Sequence, residues 1–261
     1  MAQDYQPSSR QPRRREESQR SSTKRRKKRS GLSGAAIYVI FVIGVSALLA
    51  CIGWVAANDG NVSARLEDGT FLCTPTGMSK SFITPEKLLR INDKGEVLEG
   101  AGGLRPSSEI KMHLRCYEKR PDVWSVIHAH PPGATGFAVA HKAMDMYNMI
   151  EDVAVIGSVP LTPYGTPSTS EVPDAIEPYL EEHDVMLLEN HGALAVGSDV
   201  ITAFYRMESL ELWAKITINA VILGGSMDIS RENIQKLIDL RGFYRVTGRH
   251  PGYKKFDNGL R

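Results

Sequence analysis

The balance of hydrophobic and polar positions changes twice along this chain. Residues 10–29 are mostly Arg, Lys, Ser and Gln, and residues 30–57 contain no charged side chain. From Asp59 onward, short apolar runs alternate with amphipathic stretches, and Gly and Pro separate them. The pattern predicts a polar tail, an apolar helix and one folded α/β or α+β domain of ordinary size.

Short apolar runs between turn residues have the length and composition of β-strands. They are residues 71–73, 96–98, 123–130, 185–188 and 193–196. The last two runs are separated by Glu189-Asn190-His191-Gly192, which predicts a tight turn between neighbouring strands.

Helical patterns occupy most of the segments between these runs. They are residues 86–91, 109–120, the stretch from the Pro131-Pro132 loop to His141, 199–223 and 231–240. Ser107 and Ser108 are natural N-cap candidates for the second helix, and Ser198 or Asp199 is one for the long fourth helix.

The apolar segment before the domain is long enough to cross a membrane, which takes about 20 apolar residues. We predict a basic disordered tail at 1–30, a transmembrane helix at 31–57, the folded domain at 58–228, and a C-terminal helix and tail at 229–261. A cleaved signal peptide is the alternative for the apolar segment. With the basic tail inside, the domain would lie outside the cytoplasm, and segment and tail would contact membrane lipid. A nucleic-acid role for the tail is less favoured, because it has no interleaved aromatic residues.

Two histidines in one predicted strand are the first sign of chemistry. His128 and His130 are two residues apart, so their imidazoles would point to the same face. His191, in the turn between two strands, can supply a third ligand, and three protein ligands with an open position are typical of a catalytic zinc site. Three imidazoles also accept manganese, cobalt or iron. The three cysteines show no metal-type or disulfide-type spacing.

Three short segments have the look of anion-binding sites. Ser107-Ser108-Glu109 begins a predicted helix, where free N–H groups favour a phosphate, and Glu109 could act there as a general acid or base. An ordinary helix cap explains the same residues. Gly60-Asn61 and Thr76-Gly77 are glycine turns that can cradle an anion through the backbone, although any glycine turn looks similar.

Taken together, the ordered motifs GNVSARLEDG, TPTG, RPSSE, HAH and ENHG resemble the class II aldolase/adducin family, and within it the fuculose-phosphate aldolases. The resemblance covers residues 57–225. It implies an α/β fold with a mainly antiparallel central sheet and helices on both faces, in three layers, here preceded by the transmembrane helix. It also implies a homotetramer with active sites at subunit interfaces.

The resemblance assigns roles to individual residues. His128, His130 and His191 match the family's zinc ligands, with one Zn²⁺ per subunit, and Glu109 matches its catalytic glutamate. The positions that hold the substrate phosphate are matched by Asn61, Thr76, Gly77, Ser107 and Ser108. The implied reaction is the cleavage or formation of a C–C bond in a small phosphorylated ketose, with zinc as a Lewis acid and an enediolate as intermediate.

The chain departs from the family pattern at two places. The proton-donating tyrosine of the fuculose-type enzymes falls near Tyr147, with an offset of one position, and the helix that normally precedes the GN motif is replaced by the apolar segment. A cytoplasmic family of enzymes also conflicts with the predicted outside location. Sugar-phosphate 4-epimerases or dehydratases of the family are alternatives, and so is an adducin-like, membrane-tethered binding module. Glu109 favours cleavage over epimerisation, and the three histidines argue against a binding module.

Overall fold

A mainly antiparallel sheet forms the centre of the protein. The computed structural model describes residues 34–253, so the predicted basic tail at 1–30 lies outside the described residues. The strands are β1 Asn61–Arg65, β2 Phe71–Cys73, β3 Leu89–Ile91, β4 Val97–Glu99, β5 Ser125–Ala129, β6 Leu161–Thr162, β7 Val185–Leu188 and β8 Gly192–Gly197. Their spatial order is β4-β3-β2-β1-β5-β8-β7-β6, and only the β6–β7 pair within this sheet is parallel.

Helices cover both faces of this sheet, as expected from the sequence. They are α1 Gly34–Cys51, α2 Ile110–Lys119, α3 Pro132–Val139, α4 Ile150–Val155, α5 Glu171–Ile176, α6 Val200–Ile222 and α7 Arg231–Asp239, with 3-10 helices at Lys80–Phe82, Pro85–Lys87 and Glu177–Tyr179. The hydrophobic core on one face includes α1, α3 and α6, and the core on the other includes α2 and α5. The expected three-layer α/β arrangement is therefore confirmed.

Strand β5 lies in the middle of the sheet, between β1 and β8. Alternation along β5 sends Ile127 into one core and Val126 into the other, so His128 points to the same side as Val126. In the register of the sheet, His128 lies opposite Asn61 of β1 and Leu194 of β8. The sheet thus places Asn61 of the GN motif directly beside His128 of the HAH motif.

Two predictions about local structure are wrong. Residues 86–91 do not form a helix: the 3-10 helix Pro85–Lys87 ends before β3, because Leu89 and Ile91 alternate into the core as strand residues do. Ser107 and Ser108 do not cap α2. Glu109 is its N-cap residue, and the hydroxyl of Ser107 accepts a hydrogen bond from the Glu109 N–H, which lies before the helix.

Helix α1 corresponds to the predicted membrane segment. By length and composition it is the one helix of the described chain that could cross a membrane, with a mean hydropathy of 2.4. In the structure it packs against β1 and α6 through the buried side chains of Val42, Val45, Ser46 and Leu49, whereas Ile40 and Leu48 are exposed. One face of the helix therefore belongs to the core of the domain, and membrane crossing stays a prediction.

Candidate metal centre

The three predicted histidines meet at one end of β5 and β8. His128 lies within β5, His130 follows that strand, and His191 directly precedes β8. One ligand nitrogen from each lies within 4.8 Å of the others. The ring centroid of His128 lies 4.9 Å from that of His130 and 4.5 Å from that of His191. The structure therefore brings together the three histidines that the sequence predicted as metal ligands.

The turn between β7 and β8 brings His191 to the other two rings. Asn190 adopts a left-handed backbone conformation with φ 55°, which asparagine tolerates better than most residues. A Cβ on Gly192 would lie 2.5 Å from Cδ2 of His130 and 2.7 Å from the carbonyl oxygen of Ala129. Glycine is required at this position because a side chain would push the strands and the His130 ring apart.

The hydrogen bonds of the rings leave nitrogen lone pairs for a metal. Nδ1 of His128 lies 3.0 Å from the carbonyl oxygen of Ala193, an acceptor, so this nitrogen carries the proton and Nε2 does not. Nε2 of His130 lies 3.1 Å from Nε2 of His128, and its Nδ1 faces the Asp59 carboxylate at 3.6 Å. The Nε2–H of His130 can donate to the unprotonated Nε2 of His128, and a metal ion between the two rings would replace that proton.

Burial keeps these rings in the form that binds metals. Burial lowers the pKa of His128 to about 3 and also lowers the pKa of His130, so both imidazoles are neutral at neutral pH. Neutral imidazole is a preferred ligand of zinc and of several other divalent metals. The three residues therefore fit a divalent metal ion on their donor chemistry and on their spacing.

Glu109 lies directly beside the histidine cluster. Its Oε1 is 3.1 Å from Nε2 of His191, and its Oε2 is 3.5 Å from Nε2 of His128. Burial opposes its ionisation, but hydrogen bonding to His191 and to the amide of Asn61 favours the carboxylate, and the pKa of Glu109 lies below its usual range. The group is an ionised carboxylate at neutral pH, placed to accept a proton within the site.

Asn61 connects Glu109 to one of the predicted phosphate segments. Its Nδ2 donates to Oε2 of Glu109 at 2.8 Å and to Oγ of Ser107 at 3.2 Å. Its Oδ1 is buried and accepts no hydrogen bond from any residue between 34 and 253. An unsatisfied buried acceptor is costly, so this oxygen is suited to a hydroxyl or water donor from a ligand.

The remaining predicted phosphate residues lie on two neighbouring loops. The backbone N–H of Thr76 donates to the carbonyl oxygen of Arg105 at 2.9 Å, and Pro75 and Pro106 form an antiparallel bridge. Gly77 has φ 69°, which requires glycine in this turn. Thr76, Gly77 and Ser108 are exposed, so they are accessible to a ligand. The two loops thus bring the predicted residues together.

Sequence reasoning missed some features near the site. Asp59 faces His130, and the backbone N–H of His130 donates to the carbonyl oxygen of Trp54 at 2.8 Å. Strand β1 was not predicted, because its polar Asn61 and Ser63 conceal a strand whose first four residues are buried. Tyr147, the residue near the position of the family's proton-donating tyrosine, is buried. Its hydroxyl donates to the carbonyl oxygen of Gly252 at 3.2 Å.

Cavities of about 570 and 670 Å³ lie elsewhere in the described chain, and neither is lined by any of the three histidines. The histidine cluster is instead at the end of the sheet, where His130 and His191 are partly exposed. The site is therefore reached from the surface of this chain.

The fold and the site define the class of protein. Residues 42–218 match the family described as Class II Aldolase and Adducin N-terminal domain, and the chain belongs to this family. The match begins inside α1, so the second half of this helix is part of the family domain.

Individual relatives carry out related reactions. The chain is 31% identical over 169 residues to a 3-oxo-tetronate 4-phosphate decarboxylase of Escherichia coli (strain K12), covering 63% of this chain and 78% of that protein. It is 31% identical over 165 residues to an L-fuculose phosphate aldolase of Methanococcus vannielii, covering 62% and 86%. Among solved structures, an L-fuculose 1-phosphate aldolase is 27% identical with a TM-score of 0.72, covering 78% of this chain and 95% of that one. The relatives are lyases, so an enzymatic function follows, whereas the particular reaction does not.

Proposed function

We propose that this protein is a zinc-dependent class II aldolase that cleaves or forms a C–C bond in a small phosphorylated ketose. The observation that carries the proposal is the position of Glu109, whose carboxylate lies within 3.5 Å of Nε2 of both His128 and His191. The same carboxylate is bonded to Asn61, next to the loops suited to a phosphate. These contacts support a base, a metal site and a phosphate site that lie next to one another.

The residues present divide the work of such a reaction. His128, His130 and His191 would hold the metal, which when bound supplies the positive charge that stabilises oxygen anions as the C–C bond breaks. Aldol cleavage requires a base for the hydroxyl proton of the departing aldehyde and an acid for the carbon left behind. Glu109 is the carboxylate placed for these proton transfers. Asn61 fixes its orientation through the 2.8 Å hydrogen bond.

The backbone and hydroxyl groups of the loops would hold the phosphate. Thr76, Gly77, Ser107 and Ser108 offer small side chains and turn N–H groups, which suit an anion. Asn61 already donates both of its amide N–H groups to Ser107 and Glu109. It would reach a phosphate oxygen only if one of these hydrogen bonds opens.

Decarboxylation of a phosphorylated 3-oxo acid is the second candidate. Decarboxylases for 3-oxo-tetronate 4-phosphate are among the relatives at 31% identity. Loss of carbon dioxide from a 3-oxo acid and aldol cleavage of a ketose both break the bond between the α-carbon and the β-carbon of a ketone. When the α-carbon carries a hydroxyl, both reactions leave an enediolate. The site that we describe serves either reaction, except that decarboxylation needs no base for a hydroxyl proton.

Assembly and location complete the proposal. We infer a homotetramer from the family resemblance, and attachment to membrane lipid through residues 31–57 and the basic tail from their composition. The packing of Val45 and Leu49 on the domain limits how α1 could enter a bilayer while it stays docked. Recovery of the full chain in the membrane fraction after a high-salt wash would support attachment, and recovery only in the soluble fraction would contradict it.

Product analysis tests the proposed reaction. The full chain and a Glu109→Gln variant are purified, checked for one metal ion per chain, and given ketose 1-phosphates and 3-oxo-tetronate 4-phosphate. Aldehyde release that falls about 10²–10⁴-fold in the variant supports the aldolase. Carbon dioxide release alone assigns the decarboxylase instead. A metal-loaded chain that acts on none of these substrates contradicts both reactions.

A further inference from the structure

A buried ammonium group lies between two loops of the candidate site. Lys80 begins the 3-10 helix Lys80–Phe82 and is only 1% exposed. Its Nζ donates to the backbone carbonyl oxygens of Asn58 and Met78, both at 3.0 Å. Lysine is almost never fully buried without partners, so this placement needs a reason.

The two carbonyl groups belong to different loops. Asn58 lies on the first loop, residues 58–61, which contains Gly60 and ends at Asn61, the first residue of β1. Met78 lies on the second loop, residues 76–78, which contains Thr76 and Gly77. Lys80 therefore joins two of the segments that were predicted from the sequence to hold phosphate.

A third loop, residues 105–108, is already tied to both of the others. Asn61 of the first loop donates to Oγ of Ser107, and Thr76 of the second loop donates through its N–H to Arg105. The hydrogen bonds of Lys80 connect the first loop with the second. The three loops consequently form a closed set, in which each is bonded to the other two.

The charge of Lys80 also acts on the site. Burial lowers the pKa of Lys80 to about 8, while Asp59 and Glu109 favour its charged form, so the ammonium is mostly protonated at neutral pH. A buried positive charge favours the binding of an anion nearby, because the interior screens charges less than water does.

We propose that Lys80 is a positioning residue that fixes the first and second loops at the spacing a substrate phosphate requires. This inference rests on the proposed function, since it assumes that the loops bind phosphate. Lys80 acts through the backbone of the loops and does not touch the reacting atoms. Its loss is therefore expected to weaken substrate binding more than it slows the reaction.

Two substitutions and one matched control test this role in the full chain. Lys80→Met keeps much of the side-chain volume but removes every donor and the charge. Lys80→Gln is shorter, so its amide reaches one of the two carbonyls at most. Lys87→Met is the control, because Nζ of Lys87 also donates to a backbone carbonyl, that of Phe82, at 2.8 Å, but lies outside the three loops.

The readouts are KM and kcat for the phosphorylated substrate, the inhibition constant of inorganic phosphate, the metal content and the Tm. In Lys80→Met we expect KM and the phosphate inhibition constant to rise about tenfold or more, as for a lost charge-assisted hydrogen bond, with kcat within about threefold. Lys80→Gln should show a smaller rise of about threefold, and Lys87→Met none. Metal content should stay at the wild-type value in all of them.

The inference and the proposed function fail in different ways. Unchanged KM and phosphate inhibition in a folded Lys80→Met chain, or in Lys80→Gln if the Met variant does not fold, would overturn the role of Lys80 alone. A fall in kcat at constant KM would also overturn it. A wild-type chain that neither turns over a sugar phosphate nor binds inorganic phosphate would overturn the proposed function and this inference with it.

Discussion

The histidine end of the sheet, where His128, His130 and His191 meet at the ends of β5 and β8, and helix α1 are stabilised by opposite kinds of interaction. At the histidine end, the carboxylate oxygens of Glu109 lie 3.1 Å from Nε2 of His191 and 3.5 Å from Nε2 of His128. Along α1, Val45 and Leu49 bury apolar surface without any directional bond. Directional groups define a function by their geometry, whereas an apolar surface fits a protein core and a lipid bilayer equally well.

This difference explains why the sequence predicts the histidine cluster but does not determine whether α1 lies in a protein core or in a bilayer. A cluster of three imidazoles and a carboxylate has few uses, and the structure assembles the predicted residues. An uncharged helix has at least two environments, and its composition does not distinguish them. The predictions below test each region with changes that should not affect the other.

The largest effect is expected at the histidine end of the sheet. Replacing His191 by Ala removes one of the three proposed metal ligands, so both bound metal and C–C bond cleavage should fall to background. Metal analysis and product assay of the same sample measure this. His250→Gln is the control, because His250 contacts Val153 rather than the cluster and should leave metal content unchanged. Full metal content in His191→Ala would show that the cluster is not the metal site.

The next effect tests the docking of α1 with two adjacent residues. Leu49 is 0% exposed and Leu48 is 41% exposed. Leu49→Ala should lower the free energy of unfolding by about 2–5 kcal/mol through the cavity it leaves, and Leu48→Ala by less than about 1 kcal/mol. Denaturant unfolding of both variants measures the difference. Equal effects would contradict the docked position of the helix.

A pH effect is expected from the core behind the site. His113 is fully buried, with Nδ1 2.7 Å from Oγ of Ser63, and burial lowers its pKa to about 4 from 6.5. The unfolded chain takes up this proton first, so its contribution to stability is present above pH 6.5 and is lost as the pH falls towards 4, by about 3 kcal/mol in total. Unfolding from pH 7.5 to 5 should therefore show a steeper loss in wild type than in His113→Gln. Parallel curves would contradict the assignment.

The smallest effect concerns a single contact to the phosphate. Ser108 is exposed, and we propose that its hydroxyl donates to the substrate phosphate. Ser108→Ala should raise KM up to about tenfold, as for one lost hydrogen bond, with kcat unchanged. Steady-state kinetics of the metal-loaded protein measures it. An unchanged KM would remove Ser108 from the site and leave the histidine cluster untouched.

Much of the fold could be predicted from the chain, but the reasons differ from segment to segment. Strands β7 and β8 and the Asp199-capped helix α6 follow from continuous apolar runs and a strong cap, and the structure confirms them. Strand β1 was missed because Asn61 and Ser63 are polar residues whose partners come from distant motifs. Local patterns do not show such partners.

The site shows the same limit. The spacing of His128 and His130 indicated the histidine cluster, since alternation in a strand is a local rule. The contact of Asp59 with His130 and the two hydrogen bonds of Lys80 depend on loops that meet only in the folded chain. The helix cap assigned to Ser107 was wrong because its hydroxyl instead contacts Asn61 and the Glu109 N–H.

In the proposed reaction, a metal ion held by three histidines and a proton carried by Glu109 break a C–C bond. The most direct test removes the metal with a chelator, restores Zn²⁺ stepwise, and follows bound metal and product release together in wild type and Glu109→Gln. Product release in wild type should rise in step with zinc up to one ion per chain, while the variant should bind the same zinc with little product. Cleavage that persists without metal, or a variant that cleaves as fast as wild type, would contradict the account.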